Sequence, residues 1–273
     1  MITASIVLYK QTYSEIKELL KRMDGPDIDV LLIIDNSPLN SIEKEIRDFH
    51  PRFEYIHQPS NPGFGAAHNI GIKRAIIMGS KYHFVVNPDV LLLDDTINAM
   101  VNFMETNPDV GMAMPQILNP DGTIQFLPKL LPDPLIFLKR ILYRKFNIFL
   151  SSIEKYELRN VSPHLIYDTP VLSGCFTLLR TSTLDEVGLY DDRFFMYLED
   201  WDLSRRMNRK YRTVYFSKTS VIHGYAAGSS KNFKLFKVHI RSICTYFGKW
   251  GWFFDKERVA VNRRIINQFK LLI

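Results

Sequence analysis

Cysteine is scarce in this chain of 273 residues, which contains only Cys175 and Cys244. Their separation matches no metal-ligand spacing and forms no disulfide framework, so we expect a reducing, cytoplasmic compartment. No apolar run reaches the roughly 18–20 residues that a transmembrane helix needs. The first residues, MITASIVLYK, enter a strand-like run without a basic leader, so we expect no signal peptide.

Motifs of several enzyme classes are also missing. No G-x-x-x-x-G-K-[ST] phosphate loop occurs, and neither a Ser/His/Asp triad nor a reactive cysteine site can be recognised. The glycine-rich stretch NPGFGAAHNIG follows the third predicted strand and carries His68 where a dinucleotide fingerprint has glycine or alanine. These absences disfavour covalent catalysis and a dinucleotide-binding domain.

The charge balance is basic. Lys and Arg number 35 against 29 Asp and Glu, which gives a formal net charge of +6 and a pI of about 9.1. Such an excess suits an anionic partner, such as a nucleotide, a lipid phosphate or an acidic membrane surface, and an equally weighted alternative is a solvated basic surface without a partner. No nucleic-acid-binding module is visible, so we expect no nucleic-acid partner.

Strand-like apolar runs alternate with helical patterns up to about residue 116. This alternation predicts an α/β fold with a mostly parallel central sheet flanked by helices. The carboxyl ends of its parallel strands share one edge, where ligands bind. We predict a nucleotide-binding and catalytic domain over residues 1–232, with an inserted acceptor-side segment at 116–165, and a basic, aromatic helical extension over 233–273.

Two predicted strands end in carboxylates. The fourth strand runs into Asn87-Pro88-Asp89, and the second ends at Asp35. Asp89 suits a hard divalent cation that keeps positions open for phosphate oxygens, and the simpler alternative is a turn, which all three residue types favour. Asp35 could accept hydrogen bonds from a nucleobase or a ribose, or it could cap the helix predicted to begin near Leu39.

A glycine turn follows the third predicted strand. Asn61, Gly63 and Gly65 precede a helix whose backbone N–H groups could face a phosphate or a sugar. The turn lies on the same predicted edge as Asp35 and Asp89. This shared position indicates a ligand site more strongly than any one of these motifs does.

An acidic block, YLEDWDLSRR, contains Glu199, Asp200 and Asp202 just before an arginine pair. These carboxylates could be ion-paired at a helix start, or one of them could act as a general base toward an acceptor hydroxyl. His223, in SVIHG, is a candidate metal ligand only if Asp89 holds a metal, and otherwise it is a structural histidine.

Five blocks together resemble a known family. In chain order they are IIDNS, NPGFGAAHNIGI, VVNPDV, LSGCFTLLRTSTLDEVGLYDDRFFMYLEDWDLSRR and VIHGYAAGS. Their order and spacing, from the first strand to about residue 230, resemble the family 2 glycosyltransferases of the GT-A fold. The NPD form and the FFMYLEDWDLSRR block resemble the rhamnosyltransferase-like branch, whose members build bacterial surface polysaccharides.

The resemblance implies an inverting, metal-dependent transfer by direct displacement. Asp200, in the Glu199-Asp200 pair, would be the catalytic base, and Mg²⁺ or Mn²⁺ would bind Asp89 with His223 beside the metal or the diphosphate. The residues that the resemblance assigns to the donor are Asp35, Asn61, Gly63, Gly65, Asn87, Asp89 and Gly174.

The chain departs from the family pattern at two positions. Asn87 stands where the family carries the first acidic residue of its D-x-D metal motif, and His68 stands where many relatives have arginine. The first departure weakens the expected metal affinity. Lys73 and Lys231 are therefore candidates for carrying part of the charge of the leaving group.

The expected partners follow from the same resemblance. The donor is a nucleoside diphosphate sugar, with dTDP-rhamnose preferred, and the acceptor is a saccharide on a polyprenyl diphosphate. Segments 126–150 and 233–273 mix aromatic and basic residues, which suits peripheral contact with the inner face of the cell membrane. Packing on the core or within a homo-oligomer is the alternative. Two other functions stay open: a non-catalytic nucleotide- or carbohydrate-binding protein, and a sugar nucleotidyltransferase.

Overall fold

The computed structural model describes residues 1–93, 95–224 and 233–270. The strands are β1 (Ile2–Leu8), β2 (Val30–Asp35), β3 (Phe53–His57), β4 (Tyr82–Val86), β5 (Val90–Leu92), β6 (Val110–Leu118), β7 (Tyr167–Asp168), β8 (Phe176–Arg180) and β9 (Arg212–His223). The helices are α1 (Tyr13–Met23), α2 (Glu43–Phe49), α3 (Phe64–Ile77), α4 (Thr96–Thr106), α5 (Pro134–Phe146), α6 (Leu150–Tyr156), α7 (Leu184–Val187), α8 (Glu199–Asn208), α9 (Phe233–Trp250) and α10 (Lys256–Lys270).

The strands form one sheet in the order β3-β2-β1-β4-β8-β6-β9-β5, with β7 paired to β9. β1 to β4 are mutually parallel, and β6 and β9 run in the same direction as they do. β8 lies antiparallel between β4 and β6, and β5 is antiparallel to β9. The predicted mostly parallel sheet with flanking helices is confirmed, and the sheet also contains β5, β7 and β8, which run antiparallel to their neighbours.

Helix α1 illustrates why these segments fold as they do. Thr12 and Glu15 form a capping box at its start, which satisfies backbone N–H groups that would otherwise lack partners. Its buried residues, spaced at three and four positions, are Ile16, Leu19, Leu20 and Met23. This spacing places one apolar face of the helix against the sheet.

The register of the sheet brings the polar strand ends together. Leu8 pairs with Asp35, and Asp35 pairs with His57, so β1, β2 and β3 end at one level. Val86 pairs with Ile6, and the next residue, Asn87, leaves the sheet at the same edge. Because neighbouring strands lie about 4.8 Å apart, Asp35 and Asn87 are separated by two strand spacings, or about 10 Å.

Part of the inserted segment runs along this edge before α5. The backbone N–H of Lys129 donates to Val171 O at 3.3 Å, and that of Leu130 donates to Tyr156 O at 3.0 Å. Helices α5 and α6 follow, and α5 begins at Pro134. Long-range contacts, rather than a repeating pattern, therefore hold residues 119–133 in place.

The C-terminal helices are fastened to α8 by buried charges. Arg205 donates two hydrogen bonds of 2.8 Å to Asp255, and its guanidinium lies 4.1 Å from the centre of the Trp250 ring. Asp202 is fully buried and accepts hydrogen bonds from Lys249 Nζ and from Trp250 Nε1. In the acidic block, Asp202 and Arg205 are thus ion-paired structural residues, and α9 and α10 pack directly on the domain.

Helices α5 and α9 and the loop after α9 carry exposed apolar and basic side chains, and we call this set of residues the α5–α9 surface. Its exposed apolar residues are Leu135, Leu138, Ile141, Phe146, Phe233, Phe236, Ile240, Trp252, Phe253 and Phe254. Its exposed basic residues are Arg144, Lys145, Lys237 and Arg241. Phe137, from α5, joins the two helices by packing against His239 and Phe247 of α9. Among the described helices, none has the length and apolar composition needed to cross a bilayer.

Candidate functional site

Three side chains predicted to lie at the edge of the sheet meet there. His223 Nε2 lies 3.3 Å from Asp89 Oδ1 and 3.3 Å from Asn87 Nδ2. Asp89 follows β4 on the turn into β5, and His223 is the last residue of β9. The backbone supports the same contact, because Gly224 N–H donates to Asp89 O at 2.9 Å.

Gln125 orients His223, and the sequence reasoning did not identify it. Gln125 Nε2 donates to the backbone oxygen of His223 at 2.8 Å, so its Oε1 is the atom that faces His223 Nδ1, at 3.2 Å. In the neutral ring the proton then resides on Nδ1, and the lone pair of Nε2 points toward Asn87 and Asp89. A histidine held in this way by a second residue is typical of a metal ligand.

These groups fit a divalent cation. The lone pair of His223 Nε2 and the carboxylate of Asp89 are both electron-rich, and a cation between them would satisfy both. Asn87 Oδ1 is buried and has no hydrogen-bond partner among the described residues. No cluster of three His, Cys, Asp or Glu residues that could hold a metal occurs within the described ranges. A cation here would therefore rely on Asp89, His223 and the Asn87 amide, with ligand oxygens completing its coordination.

Asp35 lies at the carboxyl end of β2 and is 1% exposed. Its Oδ2 accepts a 2.6 Å hydrogen bond from the Tyr55 hydroxyl, and its Oδ1 accepts one of 2.8 Å from Ser37 N–H. Burial and the neighbouring Asp35 carboxylate raise the pKa of Tyr55, so the phenol stays protonated and donates. Asp35 caps this local turn, and α2 begins only at Glu43, so the alternative in which Asp35 caps a helix near Leu39 does not occur.

The glycine turn packs against the loop that leads into α8. Gly63 has a φ of +103°, and a Cβ placed on it would lie 2.2 Å from the carbonyl oxygen of Phe195. The next residue, Phe64, donates its N–H to the same oxygen at 2.8 Å. A Cβ on Gly65 would lie 2.9 Å from Tyr190 and 3.3 Å from Glu199. These glycines permit a close approach of two backbones, and Asn61, with a φ of +45°, begins the turn.

Asp200 lies in the first turn of α8 and is partly exposed. Its Oδ2 accepts a 3.0 Å hydrogen bond from Gly174 N–H, and its Oδ1 accepts one of 2.9 Å from Trp201 N–H. Burial raises the pKa of Asp200, although the two backbone donors and the charge of Lys129 oppose this effect. The carboxylate thus has a fixed orientation and an increased basicity, which is what a general base requires.

Glu199 has a different environment from that of its neighbour. It is buried behind Gly65, and its Oε2 has no hydrogen-bond partner within the described part of the chain. Burial, together with the nearby charge of Asp200, raises the pKa of Glu199 well above its ordinary value. Ionisation of Glu199 is therefore disfavoured while Asp200 is ionised, and the two neighbouring carboxyl groups have different environments.

Lys129 is a second residue that the sequence reasoning did not identify. It is buried, and its Nζ donates to Phe126 O at 2.6 Å and lies 3.9 Å from Glu157 Oε1. Burial lowers the pKa of Lys129 to about 7, against the opposing charges of Glu157 and Asp200. The stretch 125–129 thus contacts His223 through Gln125 and acts on Asp200 through the charge of Lys129.

The remaining sequence candidates lie elsewhere. His68 is fully buried, with its Nδ1 2.7 Å from Ser5 Oγ of β1, and burial lowers its pKa well below the ordinary value. Lys73 is on the exposed face of α3. Lys231 lies outside the described residues.

The amino-acid sequence is similar to those of known glycosyltransferases. A sequence profile described as glycosyl transferase family 2 matches residues 8–188. N-acetylglucosaminyl-diphospho-decaprenol L-rhamnosyltransferase of Mycobacterium tuberculosis is 25% identical over 213 residues, covering 74% of this chain and 68% of that protein. Rhamnosyltransferase WbbL of Escherichia coli K12 is 24% identical over 264 residues, covering 91% of this chain and 90% of that protein.

Solved structures show the fold. Mannosyltransferase PcManGT from Pyrobaculum calidifontis, in complex with GDP-Man and Mn²⁺, matches with a TM-score of 0.58 at 14% identity, over 91% of this chain and 63% of that one. GalNAc-T7 with UDP, GalNAc and Mn²⁺ matches with a TM-score of 0.59 at 15% identity, over 82% of this chain and 44% of that one. The predicted GT-A fold is thereby confirmed. Since the profile extends over more than half of the chain, this protein belongs to glycosyl transferase family 2.

Proposed function

We propose that this protein is an inverting glycosyltransferase that moves a sugar from a nucleoside diphosphate sugar to a saccharide carried on a polyprenyl diphosphate. One observation carries the proposal. Two consecutive residues, Gly174 and Cys175, connect the turn that bears Asn87 and Asp89 to the candidate base. Cys175 O accepts a 2.8 Å hydrogen bond from Asn87 N–H, and Gly174 N–H donates to Asp200. A site for a leaving diphosphate and a site for proton removal thus share one edge of the sheet.

The residues divide the reaction between them. Asp200 accepts the proton of the acceptor hydroxyl as that oxygen attacks the anomeric carbon from the face opposite the diphosphate, which inverts the configuration there. Asp89 and His223, with the Asn87 amide, would hold Mg²⁺ or Mn²⁺, which when bound supplies positive charge to the leaving diphosphate. Asp35, Asn61, Gly63, Gly65 and Gly174 are the proposed donor-side residues. Of these, Gly174 holds Asp200, and the glycine turn supports the loop before α8.

The two bacterial relatives support the choice of substrates. Both are named rhamnosyltransferases, and the one from Mycobacterium tuberculosis is named for an N-acetylglucosaminyl-diphospho-decaprenol acceptor. We therefore assign dTDP-rhamnose as the preferred donor and bacterial surface polysaccharide synthesis as the process. The α5–α9 surface would contact the inner face of the membrane, where its exposed aromatic and basic side chains suit the interface of an anionic bilayer.

A thermal-shift panel tests the donor site. UDP, dTDP and GDP would each be added with and without Mn²⁺ to the parent protein, to Asp89→Ala and to Asp48→Ala, a control at an exposed carboxylate of α2. A ligand at a hundred times its dissociation constant adds roughly 2.7 kcal/mol to the free energy of unfolding, or on the order of 5–10 °C for a chain of this size. We expect a Mn²⁺-dependent shift with one nucleotide, retained in Asp48→Ala and lost in Asp89→Ala.

Turnover then separates catalysis from binding. Release of nucleoside diphosphate from the matching donor sugar should require a lipid-linked saccharide acceptor. A protein that binds the nucleotide but never turns over any donor would instead be a non-catalytic binding protein on the same fold.

A further inference from the structure

Three basic side chains surround the buried carboxylate of Glu157. Arg159 Nε donates to Glu157 Oε2 at 2.8 Å, Arg140 lies 3.5 Å from Glu157 Oε1, and Lys129 Nζ lies 3.9 Å from the same oxygen. The side chain of Glu157 is 6% exposed, whereas those of Arg140 and Arg159 are 25% and 32% exposed. The carboxylate is thus enclosed, and both guanidinium groups remain accessible to a ligand.

The charge of this cluster is not balanced. Glu157 is the only carboxylate within the described residues that forms an ion pair with Lys129, Arg140 or Arg159. The two guanidinium groups alone therefore leave an excess of one positive charge, which becomes two when Lys129 is protonated. Partly buried cations without counter-charges are costly, and an anion of two or more charges would offset that cost.

The position of the cluster indicates which anion it would meet. The backbone of Lys129 pairs with Val171, three residues before the Gly174 that holds Asp200, and its charge acts on that carboxylate. Arg140 belongs to α5, whose Leu138 and Ile141 are exposed on the α5–α9 surface. The cluster is thus connected to the segment that holds Asp200 through the pairing of Lys129 with Val171, and to the α5–α9 surface through helix α5.

We propose that Lys129, Arg140 and Arg159 bind the diphosphate of the polyprenyl-diphosphate-linked acceptor. The saccharide then extends toward Asp200, and the polyprenyl chain lies along the α5–α9 surface. Guanidinium groups suit this ligand because each can donate two parallel hydrogen bonds to a phosphate. This inference rests on the proposed function, since it assigns the acceptor side of the same site.

Binding of farnesyl diphosphate tests the assignment without any need for a saccharide. Isothermal titration of the full-length protein would compare farnesyl diphosphate with farnesol and with inorganic pyrophosphate. We expect farnesyl diphosphate to bind at least tenfold more tightly than either, because only this probe has both the anionic and the apolar part. Arg159→Gln should weaken its binding by on the order of tenfold, which is typical for the loss of one charge-assisted contact.

Two further variants test whether the Glu157 carboxylate weakens or strengthens the binding of farnesyl diphosphate. Glu157→Gln removes the competing carboxylate and should tighten the binding of farnesyl diphosphate. Arg47→Gln, which breaks an exposed ion pair with Glu43 on α2, is the matched control and should change nothing. A purely structural role for Glu157 predicts the opposite result, namely weaker binding in Glu157→Gln.

Nucleotide binding, measured on the same proteins, keeps the two proposals apart. If Arg159→Gln weakens the binding of the donor nucleotide as much as that of farnesyl diphosphate, the cluster serves the donor and the inference is wrong. If farnesyl diphosphate binds the parent no better than farnesol, while the nucleotide still binds, the inference fails and the proposed function survives. If neither ligand binds, both fail.

Discussion

The backbone N–H of Gly174 donates a 3.0 Å hydrogen bond to Asp200 Oδ2. This contact ties the loop before β8 to the start of α8, and it is close because a Cβ on Gly174 would lie 3.4 Å from Asp200 Cβ. The opposite oxygen, Oδ1, is held by Trp201 N–H at 2.9 Å. The carboxylate is therefore positioned by the backbone at both oxygens, and its direction does not depend on a mobile side chain.

Asp200→Asn should abolish most of the transfer while leaving donor binding intact. Removing a general base typically costs 10²–10⁴-fold in rate. Two effects on stability oppose each other at pH 7. The raised pKa of Asp200 in the folded state means that ionising it opposes folding, and the substitution removes this cost. The amide, however, can accept only one of the two backbone hydrogen bonds, so we expect a stability close to that of the parent. The measurements are kcat for transfer, the nucleotide-dependent thermal shift and Tm.

Asp202→Asn, two residues further along the same helix, provides the contrast. Asp202 is fully buried and binds Arg206, Lys249 and Trp250, so its neutralisation should lower the free energy of unfolding by about 1–3 kcal/mol. Transfer by the fraction of Asp202→Asn that remains folded should change far less than transfer by Asp200→Asn. If Asp200→Asn transfers sugar at the parent rate, Asp200 is not the general base.

The pH profile should show the altered basicity of Asp200. The base must be ionised to act, and its raised pKa means that kcat falls, as the pH is lowered, at a pH above the ordinary aspartate value of 3.8. Lys129 lowers the pKa of Asp200, so Lys129→Gln should move this acid limb to a still higher pH. The midpoint of kcat against pH, at saturating acceptor, is the relevant measurement. A midpoint that is unchanged or lower in Lys129→Gln would contradict the electrostatic link.

Strand-end residues such as Asp35 and Asp89 could be placed from the sequence because the apolar runs define where parallel strands stop. Parallel strands bring their carboxyl ends to one edge, so a correct strand pattern also places the polar residues that follow. The same reasoning located Asp200 at the start of a helix. These local patterns are sufficient for the fold and for much of the candidate site.

Gln125 and Lys129 could not be placed in this way. Both lie in residues 119–133, which form neither a helix nor a named strand and are held by distant partners such as Val171 and Tyr156. Contacts between residues that are distant in the sequence leave no periodic pattern of apolar residues from which they could be predicted. The roles of Asp202 and Arg205 were ambiguous for the same reason, since their partners Lys249 and Asp255 lie about 50 residues along the chain.

Gln125→Leu should weaken binding of Mn²⁺ by about 10–100-fold, as is typical when the residue that orients a metal-bound histidine is lost. His223 would lose the acceptor for its Nδ1 proton and with it the fixed direction of Nε2. Gln125→Glu keeps an acceptor at this position and should retain more of the affinity. Titration of Mn²⁺ in the presence of a saturating nucleoside diphosphate measures the effect directly. If Gln125→Leu and the parent bind Mn²⁺ with equal affinity, Gln125 does not contribute to the metal site.

The close approach at Gly63 can be tested against another glycine with a positive φ. Gly63 and Gly122 have φ values of +103° and +81°, but only at Gly63 would a Cβ collide with another part of the chain, the Phe195 carbonyl. Alanine at Gly122 should cost about 1 kcal/mol of strain. Alanine at Gly63 should cost that and also separate the turn from the loop before α8.

Because that loop leads directly into Glu199 and Asp200, Gly63→Ala should reduce both Tm and kcat. Gly122→Ala should reduce Tm slightly and leave kcat unchanged. Both substitutions place a side chain at a positive φ, so the excess loss in Gly63→Ala over Gly122→Ala measures the collision with the Phe195 carbonyl together with the added strain of the extended ψ at Gly63. If the two variants lose the same stability and the same activity, the turn does not support the base, and the effect of Gly63 is conformational strain alone.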